Sequence, residues 1–513
     1  MVGVSEKHAP VRAPSIEAAQ AALTRGDLEA AERICVGLSK STPQDGRVWT
    51  LLTETALLRG RLDAALACAK RAVAVAPKDA LAHIVQAKCL FLAGDAEQAL
   101  AAARRAQKIP HLSASAADAL GAIFGFLARH DAALTLFSRA TALEPRIAQY
   151  KINLAATHRM RGALDAAETA CAEALALDPG FALAHYIRSD LRIQTAGRNH
   201  IADMETALAA PDLHPENAIL LRYALAKEHE DIGDDARAFD HVAQGAEIQR
   251  AGSAPAIKAE LAEIAGAASL APPLATQGGC AAAAPIFVAG LPRSGTTLVE
   301  RIVGGLKETT PIGETDAFAA ALRAAATPFD IGQRYIRRTE AVYASAQARV
   351  IDKTLRNFLY CGHIHAALPR AKIILLRRHP LDMVWALYKA HFRGQFAFSY
   401  DLEAIADYIL AYRRLIRHWE QRLPKEALLI VAYEDIVRDL EGESRRIVDF
   451  LDLPWSETTL QFHACAAPSA TASAVQIRRP LYDSSVGRWR RHAARLAPAR
   501  ARLARELSAE ELD

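Results

Sequence analysis

The sequence of 513 residues has few aromatic side chains, 6% in all, and no long apolar run. No window holds about 18 uninterrupted apolar residues, so no membrane-spanning helix is indicated. The start, MVGVSEKHAP, lacks the apolar core of a secretory signal. The seven cysteines are odd in number, widely spread and without CxxC spacing, so we expect reduced thiols in the cytoplasm rather than disulfides or a zinc site.

The net charge of the chain is also small. The formal net charge is +4, which argues against a nucleic-acid partner. With 51% hydrophobic and 23% charged residues, the composition is that of a soluble globular protein, and its length predicts two to four domains at about 150 residues each. The first half is rich in alanine, which favours closely packed helices because small side chains let helix backbones approach one another.

A short motif recurs about every 34 residues through the first half, for example RGDLEAAE from Arg25 and RGRLDAAL from Arg59. Several units end in an apolar run and a proline, as at Pro77, Pro145 and Pro179. Each unit is therefore predicted to be a helix, a tight turn, a second helix and a proline stop. The predicted turn positions are Gly26, Gly60, Gly94, His130, Gly162, Gly197 and Gly233.

This pattern resembles the tetratricopeptide repeat, over about seven units in residues 15–250. The resemblance implies an all-α solenoid whose concave surface binds a protein or peptide; a rigid spacer or a dimerisation arm is the alternative. Residues 251–284 are rich in Ala, Pro and Gly and are predicted to hold a short helix and a linker between domains.

The second half alternates short apolar runs with helical stretches, which predicts an α/β domain with a parallel sheet over residues 285–495, followed by a helical tail, 496–513. The predicted strands begin at Pro285, Arg349, Ala371 and Ala427.

The first of these strands leads directly into Arg293, Ser294, Gly295, Thr296 and Thr297, and then into an apolar helix. A strand, a turn of small residues and a helix direct backbone N–H groups and the helix dipole at an anion, so this segment is predicted to be a phosphate-binding loop. The GxxxxGK[ST] pattern is missing, and no lysine precedes the hydroxyl residues, which disfavours a nucleoside triphosphatase.

The PRSGTTL segment resembles the sulfotransferase family, whose loop binds the 5′-phosphosulfate of 3′-phosphoadenosine 5′-phosphosulfate (PAPS). The resemblance implies that Arg293 contacts sulfuryl and phosphate oxygens. In the block ILLRRHPLD, Arg378 matches the arginine that holds the 3′-phosphate. The chain departs from the family at His379, where Asp is usual, and at Ala386, where a phosphate-binding serine is expected. Loss of that hydrogen bond should cost about 1 kcal/mol, roughly fivefold in affinity.

Two further segments resemble the family. Glu314, in PIGET, matches the segment that supplies the general base in the tyrosylprotein sulfotransferases, the family branch closest in these motifs. Lys353, in VIDKT, matches the family's lysine that neutralises charge on the leaving oxygen. A cation there stabilises the transition state more than the ground state. The plain alternatives are a helix-capping role for Glu314 and a surface position for Lys353.

Later segments resemble the family more loosely. Tyr433, in YED, matches a tyrosine near the adenine and phosphates, although it could equally be a core tyrosine. Arg479 and Arg488, in QIRRPLYDSSVGRW, match basic residues that close over the cofactor. We expect no metal, because His363 and His365 have no suitably spaced carboxylate or cysteine partner.

The sequence thus predicts a repeat solenoid joined to a PAPS-dependent sulfotransferase that uses Glu314, Lys353 and Arg293. The acceptor hydroxyl could belong to a protein tyrosine, a carbohydrate or a small alcohol. The two competing interpretations are an inactive repeat scaffold and a phosphoryl-transfer enzyme, for which a Mg²⁺ requirement would be the signature.

Overall fold

The computed structural model describes residues 15–270, 278–343, 349–465 and 475–513. The chain forms two compact units, one ending at Pro145 and the other beginning at Arg146. The last repeats therefore share a unit with the α/β domain.

The first unit consists of helices that pack in consecutive pairs. Their contact faces are built from alanine, such as the fully buried Ala65, Ala69 and Ala72, and several helices begin at an aspartate whose carboxylate accepts a backbone N–H, as Asp27 and Asp95 do. The helices are α1 Ile16–Thr24, α2 Leu28–Ser41, α3 Gly46–Leu58, α4 Leu62–Val75, α5 Ala80–Leu92, α6 Ala96–Gln107, α7 Ala114–Phe126 and α8 His130–Leu143.

The turns between paired helices require left-handed backbone. Gly26, Gly60 and Gly94 have φ of 75°, 70° and 77°, which glycine adopts without strain. In the fourth repeat the left-handed residue is Ala128 (φ 56°), whereas His130 is the first residue of α8, so the predicted turn at His130 was wrong by two residues. The left-handed positions 26, 60, 94, 128 and 162 are thus evenly spaced.

The second unit opens with the remaining repeats. The helix α11 ends early, and residues after it form an irregular segment with a bridge between Thr195 and Arg198, so the sixth repeat departs from the others. The helices are α9 Ala148–Arg161, α10 Leu164–Leu177, α11 Ala182–Asp190, α12 Ile201–Leu208, α13 Pro215–Asp231, α14 Asp235–Arg250 and α15 Ala254–Leu270. Helix α15 lies where a short helix was predicted, and residues 271–277 of the predicted linker fall outside the described residues.

The α/β part contains a parallel sheet of five strands in the order β2-β3-β1-β4-β5. Sequence reasoning missed β2, a short edge strand that contains Pro311, which can be accommodated because an edge strand has an unpaired side. The strands are β1 Ile286–Gly290, β2 Thr309–Gly313, β3 Arg349–Asp352, β4 Lys372–Arg377 and β5 Leu428–Ala432.

Helices and 3₁₀ segments connect and flank these strands. The α-helices are α16 Thr296–Gly304, α17 Ala317–Arg323, α18 Pro328–Tyr343, α19 Cys361–Ala367, α20 Pro380–Tyr388, α21 Leu402–Arg422, α22 Tyr433–Arg438, α23 Leu440–Phe450, α24 Ala497–Leu503 and α25 Ala509–Leu512. The 3₁₀ segments are Leu355–Tyr360, Ala397–Tyr400, Glu457–Ala464, Gln476–Arg478 and Arg488–His492. Among the described residues, no helix is long and apolar enough to cross a membrane.

The sheet has a hydrophobic core on each face, which makes three layers. Along β1, Phe287 points into one core and Ile286 into the other, as expected for a strand covered on both sides. The core containing Phe287 also contains Tyr223 of α13 and Phe239 of α14. Two repeat helices are therefore part of the hydrophobic interior of the α/β domain.

Candidate active site

Every strand of the sheet leads into a residue that the sequence singled out. Glu314 directly follows β2, Lys353 follows β3, Arg378 follows β4 and Tyr433 follows β5, while Arg293 lies three residues after β1. Because the strands are parallel, these residues all lie at the carboxyl edge of the sheet, where α/β proteins bind ligands. With β1 at the centre, the strand order puts Glu314 and Lys353 on one side and the other two on the opposite side.

The loop after β1 is held in an unusual backbone conformation. Arg293 has φ of 70° and Gly295 has φ of 104°, and a Cβ added to Gly295 would lie 2.8 Å from Cδ2 of Tyr433. The loop therefore needs glycine there for both its backbone and its close approach to a ring. The side chain of Arg293 donates from Nη2 to Oε1 of Gln476 at 2.7 Å.

Arg378 ties the loop to the late segment of the chain. Its Nη1 donates to the carbonyl of Arg293 at 3.0 Å and its Nη2 to the carbonyl of Ser485 at 2.6 Å. The guanidinium also lies 4.7 Å from the ring centre of Tyr433, whose hydroxyl is 2.8 Å from Oγ of Ser485. Burial raises the pKa of Tyr433, so its hydroxyl stays protonated at neutral pH.

Together these groups line a cleft that we call the loop cleft, bounded by Arg293, Gly295, Thr296, Arg378, Tyr433 and Arg479. Its base is the buried start of α16, where the first N–H groups, those of Thr296 and Thr297, have no carbonyl partner within the helix. Oγ of Ser294 and Nε of Arg378 are buried and have no hydrogen-bond partner among the described residues. Amide, hydroxyl and guanidinium donors converging on one space fit a phosphate or sulfate group.

Glu314 and Lys353 form the second part of the site. Nζ of Lys353 donates to Oε1 of Glu314 at 2.5 Å, with the lysine 1% and the carboxylate 46% exposed. Beneath them, Asp352 is fully buried; burial raises its pKa to about 6, although Thr354, Tyr335 and Thr315 donate to the carboxylate. The buried lysine is thus fixed in place, while Glu314 remains accessible to a hydroxyl arriving from solvent.

Two predicted residues have contacts that the sequence did not indicate. The ring of His379 stacks on Trp489 at 5.7 Å, and burial lowers its pKa, so this residue is neutral rather than the usual acid. Arg488 lies against Glu230 of α13, with Nε 3.4 Å from Oε1. A role for Arg488 in closing over a cofactor stays a prediction, whereas Arg479 lines the loop cleft.

Sequence reasoning missed several residues of this region. Gln476 and Ser485, which contact Arg293 and Arg378, lie inside the QIRRPLYDSSVGRW block, so that block was the available signal. Asp382, in HPLD, accepts the N–H of Gly487 at 2.7 Å and that of Trp489 at 3.0 Å, which holds the late segment in place. Glu230 lies within a repeat and carried no signal of its own.

A second cavity, which we call the repeat cavity, lies between α9, α11 and α13 of the repeats and α20. It is lined among others by Arg159, Tyr186, Asp190, Glu230, Arg293 and Lys389, and its volume is about 790 Å³, part of it open to solvent. Ala386, where a serine was expected, also lines this cavity.

Comparison with known proteins identifies the second half. The model of the Sulfotransferase family matches residues 285–345 and 328–457. The C-terminal half of the chain therefore carries a sulfotransferase family domain. An uncharacterized protein of Aquifex aeolicus (strain VF5) is 32% identical over 240 residues, which cover 42% of this chain. The chain spans 31% of the length of that relative.

Solved structures resemble each part separately. A thermophilic TPR protein of Thermus thermophilus is 24% identical, with a TM-score of 0.31, over 34% of this chain and 96% of that one. The sulfotransferase domain of the Synechococcus PCC 7002 olefin synthase is 18% identical, with a TM-score of 0.34, over 45% of this chain and all of that one.

Proposed function

We propose that the protein is a PAPS-dependent sulfotransferase that moves a sulfuryl group to an acceptor hydroxyl. The observation that carries the proposal is the contact of 2.5 Å between Lys353 and Glu314 at the ends of neighbouring strands, beside the strand that leads into the phosphate-type loop. A base and a cation are thereby held next to an anion-binding loop, which in-line group transfer requires.

Glu314 is the proposed general base. Its half-exposed carboxylate takes the proton of the acceptor hydroxyl as the acceptor oxygen bonds to sulfur. The bond that breaks joins sulfur to the bridging phosphate oxygen, and the ammonium of Lys353 neutralises the negative charge that develops there. Because Lys353 is buried and already oriented, little reorganisation accompanies the transfer.

The remaining residues bind the donor. PAPS supplies the activated sulfuryl group. In this proposal, Ser294–Thr297 offer N–H and hydroxyl donors to its 5′-phosphate, Arg293 holds sulfuryl oxygens, and Arg378 and Tyr433 bind the nucleotide 3′-phosphate and base. The orphaned Nε of Arg378 supports this assignment, since a bound phosphate would give it a partner.

The acceptor is proposed to be a protein tyrosine, in keeping with the Glu314 segment, or a carbohydrate or small alcohol. The first unit is proposed to bind a protein or peptide. In support, Leu58, Leu92 and Phe126, at equivalent places in three successive repeats, are 63%, 53% and 61% exposed. If they bind a partner, the double variant Leu92→Ser, Phe126→Ser should lose capture of a tyrosine-peptide library without a lower melting temperature; unchanged capture would refute this role.

Calorimetric titration with 3′-phosphoadenosine 5′-phosphate, the expected product, tests the donor site. We expect micromolar binding without metal, at least tenfold weaker in Arg378→Ala, and weak binding of ATP with Mg²⁺. No binding of the bisphosphate would refute the sulfotransferase proposal and favour the scaffold interpretation, and Mg²⁺-dependent ATP binding would favour phosphoryl transfer instead.

Turnover with labelled PAPS over a panel of tyrosine peptides, glycosides and alcohols tests the chemistry. Glu314→Gln should lower kcat by roughly 100-fold or more, with bisphosphate affinity unchanged, and Lys353→Met should do likewise. The matched controls are Glu308→Gln and Lys307→Met, which alter exposed neighbours of the same charge. Equal activity in Glu314→Gln and its control would exclude Glu314 as the base.

A further inference from the structure

The repeat cavity and the loop cleft are adjacent and share two lining residues. Arg293 and Gln476 line both spaces, and these two side chains are hydrogen-bonded to each other. The amide donors of the phosphate-type loop face the loop cleft, where Gly295 and Thr296 are lining residues. A donor bound in the loop cleft would therefore place its transferred group beside Arg293, at the border of the repeat cavity.

Apart from Arg293, which donates to Gln476, the charged residues that line the repeat cavity are paired with opposite charges. Asp190, the last residue of α11, accepts from Arg159 of α9. Glu230 of α13 accepts from Nζ of Lys389 at 2.7 Å, and Lys227 pairs with Asp231 at 2.6 Å. A charged ligand would have to compete with these partners, whereas a neutral ligand with several hydroxyls can donate to the carboxylates and accept from the cations without displacing any charge.

The cavity also has an aromatic wall. The ring of His391 packs edge-on against Tyr186 at 6.0 Å and lies 5.3 Å from Tyr223. Burial lowers the pKa of His391 to about 4, so the ring is neutral at physiological pH. A compact ligand could pack its C–H groups against these flat neutral rings and form hydrogen bonds between its hydroxyl groups and the paired polar side chains.

We propose that the repeat cavity is the acceptor pocket of the enzyme, that it binds a neutral, hydroxyl-rich ring such as a hexopyranoside, and that Asp190 and Tyr186 of the repeats select this acceptor. The proposal rests on the proposed sulfotransferase function. It requires the reacting hydroxyl to extend from the cavity past Arg293 toward Glu314. The repeats then supply part of the acceptor site of the enzyme as well as the proposed surface for partners.

The test uses the full chain and four methyl hexopyranosides, with N-acetyltyrosine amide as the phenolic comparison. Binding of each is measured by saturation-transfer NMR and calorimetry, with and without 3′-phosphoadenosine 5′-phosphate. We expect at least one glycoside to bind, with at least tenfold weaker affinity in Asp190→Asn and in Tyr186→Phe. The matched control is Asp203→Asn, an exposed aspartate of the neighbouring repeat helix, which should bind like the wild type.

Both variants should bind the bisphosphate within twofold of the wild type, and in turnover they should raise the KM for the glycoside more than they lower kcat. Circular dichroism checks that both variants are folded. Absence of glycoside binding to the wild type, or binding of the phenol alone, would overturn the proposal. So would variants that weaken the bisphosphate instead, because the cavity would then belong to the donor. Glycoside binding without bisphosphate binding would overturn the sulfotransferase proposal and with it the acceptor role.

Discussion

Replacing Glu230 by alanine should destabilise the second unit strongly, although Glu230 lies in a repeat helix. Its carboxylate, 8% exposed, accepts from Nε1 of Trp385 at 2.9 Å and from Nζ of Lys389 at 2.9 and 2.7 Å. Arg488 approaches the same oxygen at 3.4 Å. The variant leaves the ammonium of Lys389, which is 22% exposed, and a buried indole N–H without their acceptor. Breaking a fully buried pair costs about 3–5 kcal/mol, which sets the upper range of the expected loss.

The pKa of Glu230 agrees with this prediction in direction. Burial raises it, but Lys389 and Arg488 outweigh burial and lower the pKa from 4.5 to about 2. The ionised carboxylate therefore stabilises the fold, in part by keeping Lys389 charged, since burial lowers the pKa of that ammonium from 10.5 to about 8. Because the folded-state pKa of Glu230 is the lower one, this stability is present above pH 4.5 and is lost as the pH falls toward 2.

Thermal unfolding followed by circular dichroism tests this prediction. At about 2 °C per kcal/mol, Glu230→Ala should melt up to about 10 °C below the wild type at pH 7, and the difference should shrink at pH 3. Glu205→Ala, at an exposed glutamate of α12, is the matched control. A melting temperature within 1 °C of the control at pH 7 would show that the network contributes no net stability.

Three further predictions concern the site. Gly295→Ala should weaken bisphosphate binding at least tenfold in calorimetry, because its φ of 104° and the 2.8 Å approach to Tyr433 leave no room for a Cβ. Asp382→Asn should lower the free energy of unfolding by about 2 kcal/mol in urea, since its carboxylate accepts the N–H of Gly487 at 2.7 Å and a second backbone N–H. The contribution of Asp352 to stability should fall as the pH rises from 3.8 through about 6, because burial raises its folded-state pKa. Asp352→Asn should remove this pH dependence from the free energy of unfolding measured in urea.

Each of these three predictions has a control variant or an outcome that would contradict it. Gly197→Ala, in an open turn without positive φ, should leave bisphosphate binding unchanged; equal losses in both glycine variants would contradict the steric argument. Asp483→Asn, at an exposed aspartate of the late segment, should unfold like the wild type. An unchanged pH profile in Asp352→Asn would show that another group titrates in that range.

The site was predicted in outline because its residues lie at strand ends. Arg293, Lys353 and Arg378 follow buried apolar runs that are visible in the sequence, and a parallel sheet brings such positions to one edge. Strand β2, which leads to Glu314, was missed because a proline-containing edge strand has little apolar signal. Gln476 and Ser485 could not be paired with Arg293 and Arg378, since contacts over more than a hundred residues leave no local pattern.

The sequence alone determined the repeats and the phosphate-type loop after β1. Turn glycines, helix faces made of small residues and a strand-turn-helix segment are all local features of the sequence. It could not show that Ala128 rather than His130 occupies the left-handed turn of the fourth repeat, since alanine carries no turn signal. Only the tertiary structure showed that Glu230, in a repeat helix, contacts Lys389 and Arg488. These residues are far apart in the sequence, and the pairing depends on how the helices pack. The same packing forms a cavity between the last repeats and the loop, which no segment of the chain encodes by itself.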